Sequence, residues 1–172
     1  SIKGETAQPY YSQAAQQILR LSSKSHWDIP IKIDNNTIHV LASHPTPPVF
    51  DGPENRNGKR NHDEIRFWAD YLSVGEQSAY IYDDKGELGG FKGEHFVITG
   101  DLNASPKEGD GIKSGIRGLL SHPLVNDTAV PQSEGGKANT PNNHYAAEHT
   151  AGWAMRADYV LPSRSLEVKG SG

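Results

Sequence analysis

The run Thr37–Ser43, Thr-Ile-His-Val-Leu-Ala-Ser, and the apolar cluster at His95–Thr99 both predict short strands. Pro30–Ile33 precedes the first run across Asp34-Asn35-Asn36. Asparagine tolerates left-handed turn conformations, so this pair predicts a β-hairpin. Met-Arg-Ala-Asp-Tyr-Val-Leu-Pro-Ser, residues 155–163, predicts a further strand, and Tyr80–Tyr82 a short one. Helical spacing of Ile65, Trp68, Ala69 and Leu72 predicts a helix opening at Asn61, with Asn61 as its cap and Glu64 near a capping-box position. Ile112, Ile116, Leu119 and Leu120 predict a second helix, and Ala14, Ile18 and Leu21 a third over residues 10–21. Residues 44–60 carry Pro45, Pro47, Pro48 and Pro53 and read as a loop. Residues 122–152 show no periodicity, and loops of that length inside a domain are functional or mobile. Strands alternating with helices predict a layered α/β domain.

Composition narrows the picture. A chain of 172 residues fits one domain over residues 1–172, and 18 Gly with 11 Pro imply a large irregular share. The absence of cysteine excludes disulfides, Cys-zinc sites and thiol nucleophiles. A net charge of −4 argues against a protein that coats DNA through a basic face. It leaves a nuclease open, because a bound divalent cation offsets phosphate repulsion locally. No apolar run reaches membrane-span length, and no signal peptide is visible. Both ends of the chain read as cut.

The chemistry concentrates at strand ends. Phe-Val-Ile-Thr runs into Gly-Asp-Leu-Asn, placing Asp101 and Asn103 where open α/β sheets build sites. An aspartate can hold a divalent cation or take a proton from water, and an asparagine can orient that water without ionising. An Asx-turn closing the strand accounts for the same two residues. His44 ends its strand in the same way and can donate to a phosphate oxygen; a loop histidine satisfied by carbonyls is the alternative. Asp158 lies within an apolar strand pattern and needs a partner, either a functional one or Arg156. Arg60 and His62, in Arg-Asn-Gly-Lys-Arg-Asn-His, and His26, in Ser-Lys-Ser-His-Trp, are candidates for holding an anionic substrate, against the plainer reading of solvated polar segments. Trp27, Trp68 and Trp153 read as packing residues. Calcium-loop, phosphate-loop, dinucleotide and nucleophile-elbow patterns are missing, as is the usual zinc-helix histidine spacing.

A strand-end His, then Gly-Asp-Leu-Asn, then Asp-Tyr-Val-Leu-Pro-Ser, in that order, resembles the endonuclease/exonuclease/phosphatase superfamily, the deoxyribonuclease I-like group. The segments Ser-Lys-Ser-His-Trp-Asp-Ile-Pro, the long stretch from Leu41 to Leu72, and Arg-Ala-Asp-Tyr-Val-Leu-Pro-Ser look like its bacterial, often secreted, members. The resemblance implies a two-sheet α/β sandwich with helices outside, of which this chain is a middle-to-late portion. It implies a metal-dependent phosphoester hydrolase using Mg²⁺, or Mn²⁺ or Ca²⁺. Asp101 and Asn103 would activate and orient water near the metal. His44 would contact the scissile phosphate, and Asp158 would hold a second histidine of a Ser-Asp-His motif that does not occur within residues 1–172. It also implies a phosphate-ester substrate, nucleic acid among the candidates, and a secreted or periplasmic setting. A lipid or inositol phosphate phosphatase of the same superfamily and a non-catalytic phosphate-binding domain are the alternatives. A piece holding one sheet would expose apolar surface, and homodimerisation through it or instability is expected.

Overall fold

The computed structural model describes residues 9–171. Strand β1 (His26–Ile33) turns into β2 (Asn36–Ser43) through Asp34, whose φ of 53° supplies the left-handed step of a tight hairpin. The hairpin is longer than its sequence implies, because β1 begins four residues before Pro30. Pro30 is accommodated because β1 is an edge strand, where a missing N–H costs no ladder bond. Strand β3 (His95–Asp101) pairs parallel to β2, and β4 (Asp158–Pro162) pairs antiparallel to β3, giving one sheet in the order β1-β2-β3-β4.

Alternation divides this sheet into two unlike faces. Leu41, Phe96, Ile98, Tyr159 and Leu161 point to one side and are buried. Ile65, Trp68 and Leu72 of α2 (Arg56–Leu72) and Ile116 and Leu119 of α3 (Lys113–Leu120) complete the same core. The helices approach closely at Gly115, where a Cβ would press on the His62 backbone. The opposite face carries Trp27, Ile29, Ile31, Ile33 and Val160, all exposed, and its end at Asp158 and Val160 is flanked by the loop residues Pro131, Glu148 and Thr150. The α/β class is as expected from the sequence; the described residues contain one sheet of the implied sandwich, with helices on one side.

Several local expectations are corrected. Helix α2 opens at Arg56, inside the segment read as a proline loop, so the basic cluster Arg56, Lys59 and Arg60 lies on helix. Its first N–H groups are met by the Asp51 carboxylate, which accepts from Asn57 N at 2.7 Å and Gly58 N at 2.8 Å. Asn61 is therefore no cap, and Glu64 belongs to no capping box; both are fully buried. Helix α1 (Gln13–Ile18) is shorter than expected and buries nothing, with Ile18 83% exposed. The Tyr80–Tyr82 strand reduces to one isolated bridge between Tyr82 and Leu88. The stretch without periodicity contains a short helix, α4 (Glu134–Asn139), and a 3-10 turn at Ala146–Glu148. Of the tryptophans only Trp68 packs in the core; Trp27 and Trp153 are exposed.

Candidate functional site

The parallel strands β2 and β3 end side by side, and this places His44 next to Asp101. Gly100 makes the approach possible. Its φ of 148° is one that side chains disfavour, and a Cβ there would run into the carbonyl oxygen of Ser43. His44 Nε2 consequently stands 3.6 Å from Asp101 Oδ2, with the imidazole 49% and the carboxylate 27% exposed. Asp101 and Asp158 are register partners across β3 and β4. Both line a hollow of about 290 Å³ with Thr99, Glu148 and Arg156. His44, Asp101 and Asp158 are thus brought to one rim of the sheet.

Asp101 and Asn103 form an Asx-turn: Asn103 N donates to Asp101 Oδ1 at 2.8 Å. The turn leaves Oδ2 facing His44. Asn103 adopts φ of 51° and is buried, and its amide donates to the Pro45 carbonyl at 3.2 Å. The turn and the site geometry therefore coincide, and the two readings of this motif do not compete.

Asp158 is not paired with Arg156. That arginine is buried, bonds Asp127 at 2.9 Å and lies over the Tyr159 ring. The Asp158 carboxylate makes no ion pair among the described residues. Tyr159, whose hydroxyl donates to the Ala104 carbonyl at 2.8 Å, is held well above the usual tyrosine range by burial.

His26, Arg60 and His62 are placed elsewhere. His26 stands at the same end of the sheet but faces the helices. Its Nε2 donates to the Glu64 carbonyl at 2.8 Å, and its ring lies against Phe67 and Trp68. Burial pushes its pKa below 6.5, opposed by the Glu64 carbonyl and carboxylate. Arg60 donates to the Arg20 carbonyl at 3.2 Å, and His62 Nδ1 bonds Asp63 at 2.9 Å. None of the three lines this hollow.

Two site-forming residues escape a reading of the sequence as caps. Asn61 donates to the carbonyls of Thr46 at 2.9 Å and Leu102 at 3.0 Å, tying together the loops that follow β2 and β3. The Glu64 carboxylate accepts from Thr46 N at 2.6 Å and from Ser23 N. The pattern Asn-x-x-Glu was the visible signal; only its burial distinguishes a clamp from a cap.

The rim residues do not fit a cation by themselves. Asp101, Asp158 and Glu148 share a hollow, but Glu148 is held by Lys107 at 3.1 Å. Among the described residues no group of three or more His, Asp or Glu is arranged to hold a metal ion.

Among solved structures, the chain is similar to a β-hairpin deletion mutant of beta toxin from Staphylococcus aureus, at 16% identity over 82% of this chain and 44% of that one, with a TM-score of 0.46. It is also similar to a beta toxin mutant from the same organism with bound magnesium ions, at 16% identity over 81% of this chain and 42% of the other, TM-score 0.44. The chain spans less than half the length of these structures. No curated protein matches it. A model of the Endonuclease/Exonuclease/phosphatase family matches residues 14–172, and the chain belongs to that family.

Proposed function

We propose that the protein carrying this chain is a phosphoester hydrolase in which water attacks phosphorus at the rim formed by His44, Asp101 and Asp158. The observation that carries this reading is the 3.6 Å approach of His44 Nε2 to Asp101 Oδ2 at the ends of two parallel strands. An acid and a proton donor facing each other at an open rim suit a reaction that removes a proton from water while charge grows on phosphate oxygens. Asp101 Oδ2 takes the water proton. The water oxygen bonds to phosphorus, the bond to the leaving oxygen breaks, and that oxygen takes a proton from solvent. Asn103 fixes the turn that aims Asp101. His44 donates to a non-bridging oxygen, a contact worth roughly 3–4 kcal/mol of barrier. Asp158 is the acceptor for a second imidazole, as the family's pattern implies.

For magnesium, which the family resemblance implies, Asp101 and Asp158 each offer a carboxylate at the hollow, and the described residues hold no complete ligand set. No helix among the described residues is long and apolar enough to cross a membrane. A secreted or periplasmic setting belongs to the proposal, supported by the likeness of the motifs to secreted family members; fractionation of the source cells tests it, and recovery in the cytosol alone would count against it. Function is tested by assaying the whole protein on plasmid DNA and on 4-nitrophenyl phosphomono- and diesters. Hydrolysis of at least one is expected; inertness toward all three, with and without added Mg²⁺, would remove the hydrolase reading.

A further inference from the structure

Asp101 and Asn103 open onto different spaces. Beside Asn103 lies a second hollow of about 560 Å³, which shares no lining residue with the first. Its walls are Pro47, Pro48 and Val49, from the loop after β2, and Trp153 and Met155, from the turn before β4. Trp153 is 65% exposed, a large aromatic surface kept in water at the mouth of an apolar space. Ala154, at φ of 66°, and the Ala151–Met155 bridge shape the turn that presents it.

The charge of this hollow is as informative as its shape. Glu108 and Asp110 line it, and no Lys, Arg or His does. The Glu108 carboxylate accepts from Asn143 Nδ2 at 2.8 Å and bonds the buried His149 Nε2 at 3.0 Å, so it is fixed in place. A nucleic-acid strand crossing the rim would bring a second phosphate beside the Glu108 and Asp110 carboxylates, whose two charges are offset only in part by the single ammonium of Lys113 at the Glu108 and Gly109 carbonyls, and like charges repel. An uncharged apolar group meets no such penalty and buries area against proline and tryptophan.

We propose that this hollow seats an uncharged apolar substituent of the phosphoester, of about ring size, against Trp153, and that the site thereby selects phosphodiesters bearing such a group over nucleic-acid strands. The proposal rests on the reading of the adjoining rim as the place where phosphate binds. Asn103 connects the two, because it closes the turn that holds Asp101 and also lines the apolar hollow.

Equilibrium binding tests the proposal without turnover. Calorimetric titration of the protein with diphenyl phosphate and with dimethyl phosphate compares two singly charged ligands that differ in their apolar groups. Diphenyl phosphate is expected to bind about tenfold tighter or better. Trp153→Ala should erase the difference while leaving dimethyl phosphate unaffected. Val49→Asp, at a second exposed wall position, should reduce it through added charge. Equal binding of the two ligands, binding of neither, a preference that survives Trp153→Ala, or displacement of diphenyl phosphate by an oligonucleotide at lower concentration would each overturn the assignment. A preference retained by a protein that hydrolyses nothing would support the pocket and count against hydrolysis. Hydrolysis without the preference would count against the pocket alone.

Discussion

The Glu64 carboxylate, fully buried on α2, accepts the backbone N–H of Thr46 at 2.6 Å and so fixes the loop that begins with His44. The same carboxylate accepts from Ser23 N, and Asn61, one turn earlier, holds Thr46 O and Leu102 O. A helix on the far side of the sheet thus sets the spacing of the two strand-end loops.

Glu64→Leu should destabilise the protein by about 1–3 kcal/mol, mainly through the Thr46 N–H it leaves unpaired, since Ser23 is exposed to water. Glu64→Gln keeps one acceptor oxygen and should cost less. Chemical denaturation of the three proteins measures both differences. Equal stability of the leucine variant and the parent would show that the clamp contributes nothing.

Gly100→Ala tests the contact between the ends of β2 and β3. The backbone conformation alone should cost roughly 1–3 kcal/mol. The methyl group must also displace Ser43, and with it His44. Hydrolysis should fall although both proposed reacting side chains remain. A variant with parental melting temperature and parental rate would mean that the close approach is unnecessary.

His26 makes stability depend on pH. Its pKa is lowered in the folded state from 6.5, so between the two values the unfolded chain binds more protons. Its contribution is present above about 6.5 and is lost as pH falls toward the lowered folded value. His26→Gln should flatten the fall of the melting temperature across that window. Part of the slope should remain, because burial also lowers His122. An unchanged slope in His26→Gln would assign the acid sensitivity to other groups.

The open sheet face predicts self-association of the chain taken alone. Ile31 and Val160 are both exposed on it, Val160 at 68%. Sedimentation should show a dimer or larger species that Ile31→Lys combined with Val160→Lys returns to monomer. A monomer at every concentration would mean that water tolerates this face.

Much of this architecture is legible in local pattern. The cores of β2, β3 and β4 are short apolar runs, and α2 and α3 carry their buried residues at helical spacing, so burial and period agree. What local pattern does not carry is partnership. Asn61 and Glu64 satisfy the spacing of a helix start, yet α2 continues past them because Asp51 supplies its cap from outside the helix. His26, polar by type, sits among aromatic rings because a backbone carbonyl of α2 meets its nitrogen. His44 and Asp101 can be marked individually at strand ends and Asp158 inside a strand pattern, although β4 in fact begins at Asp158. Their convergence depends on strand order and on the closeness that Gly100 permits, and neither is written in any one segment.

A double-mutant cycle on turnover of a phosphodiester by the whole protein tests the central claim most directly. If His44 and Asp101 act as one unit, each alanine variant should be slower by about 10²–10³-fold with folding intact. The combined variant should then be little slower than the worse single one. A normal rate for Asp101→Ala, or a double variant as slow as the product of the two single effects, would contradict it.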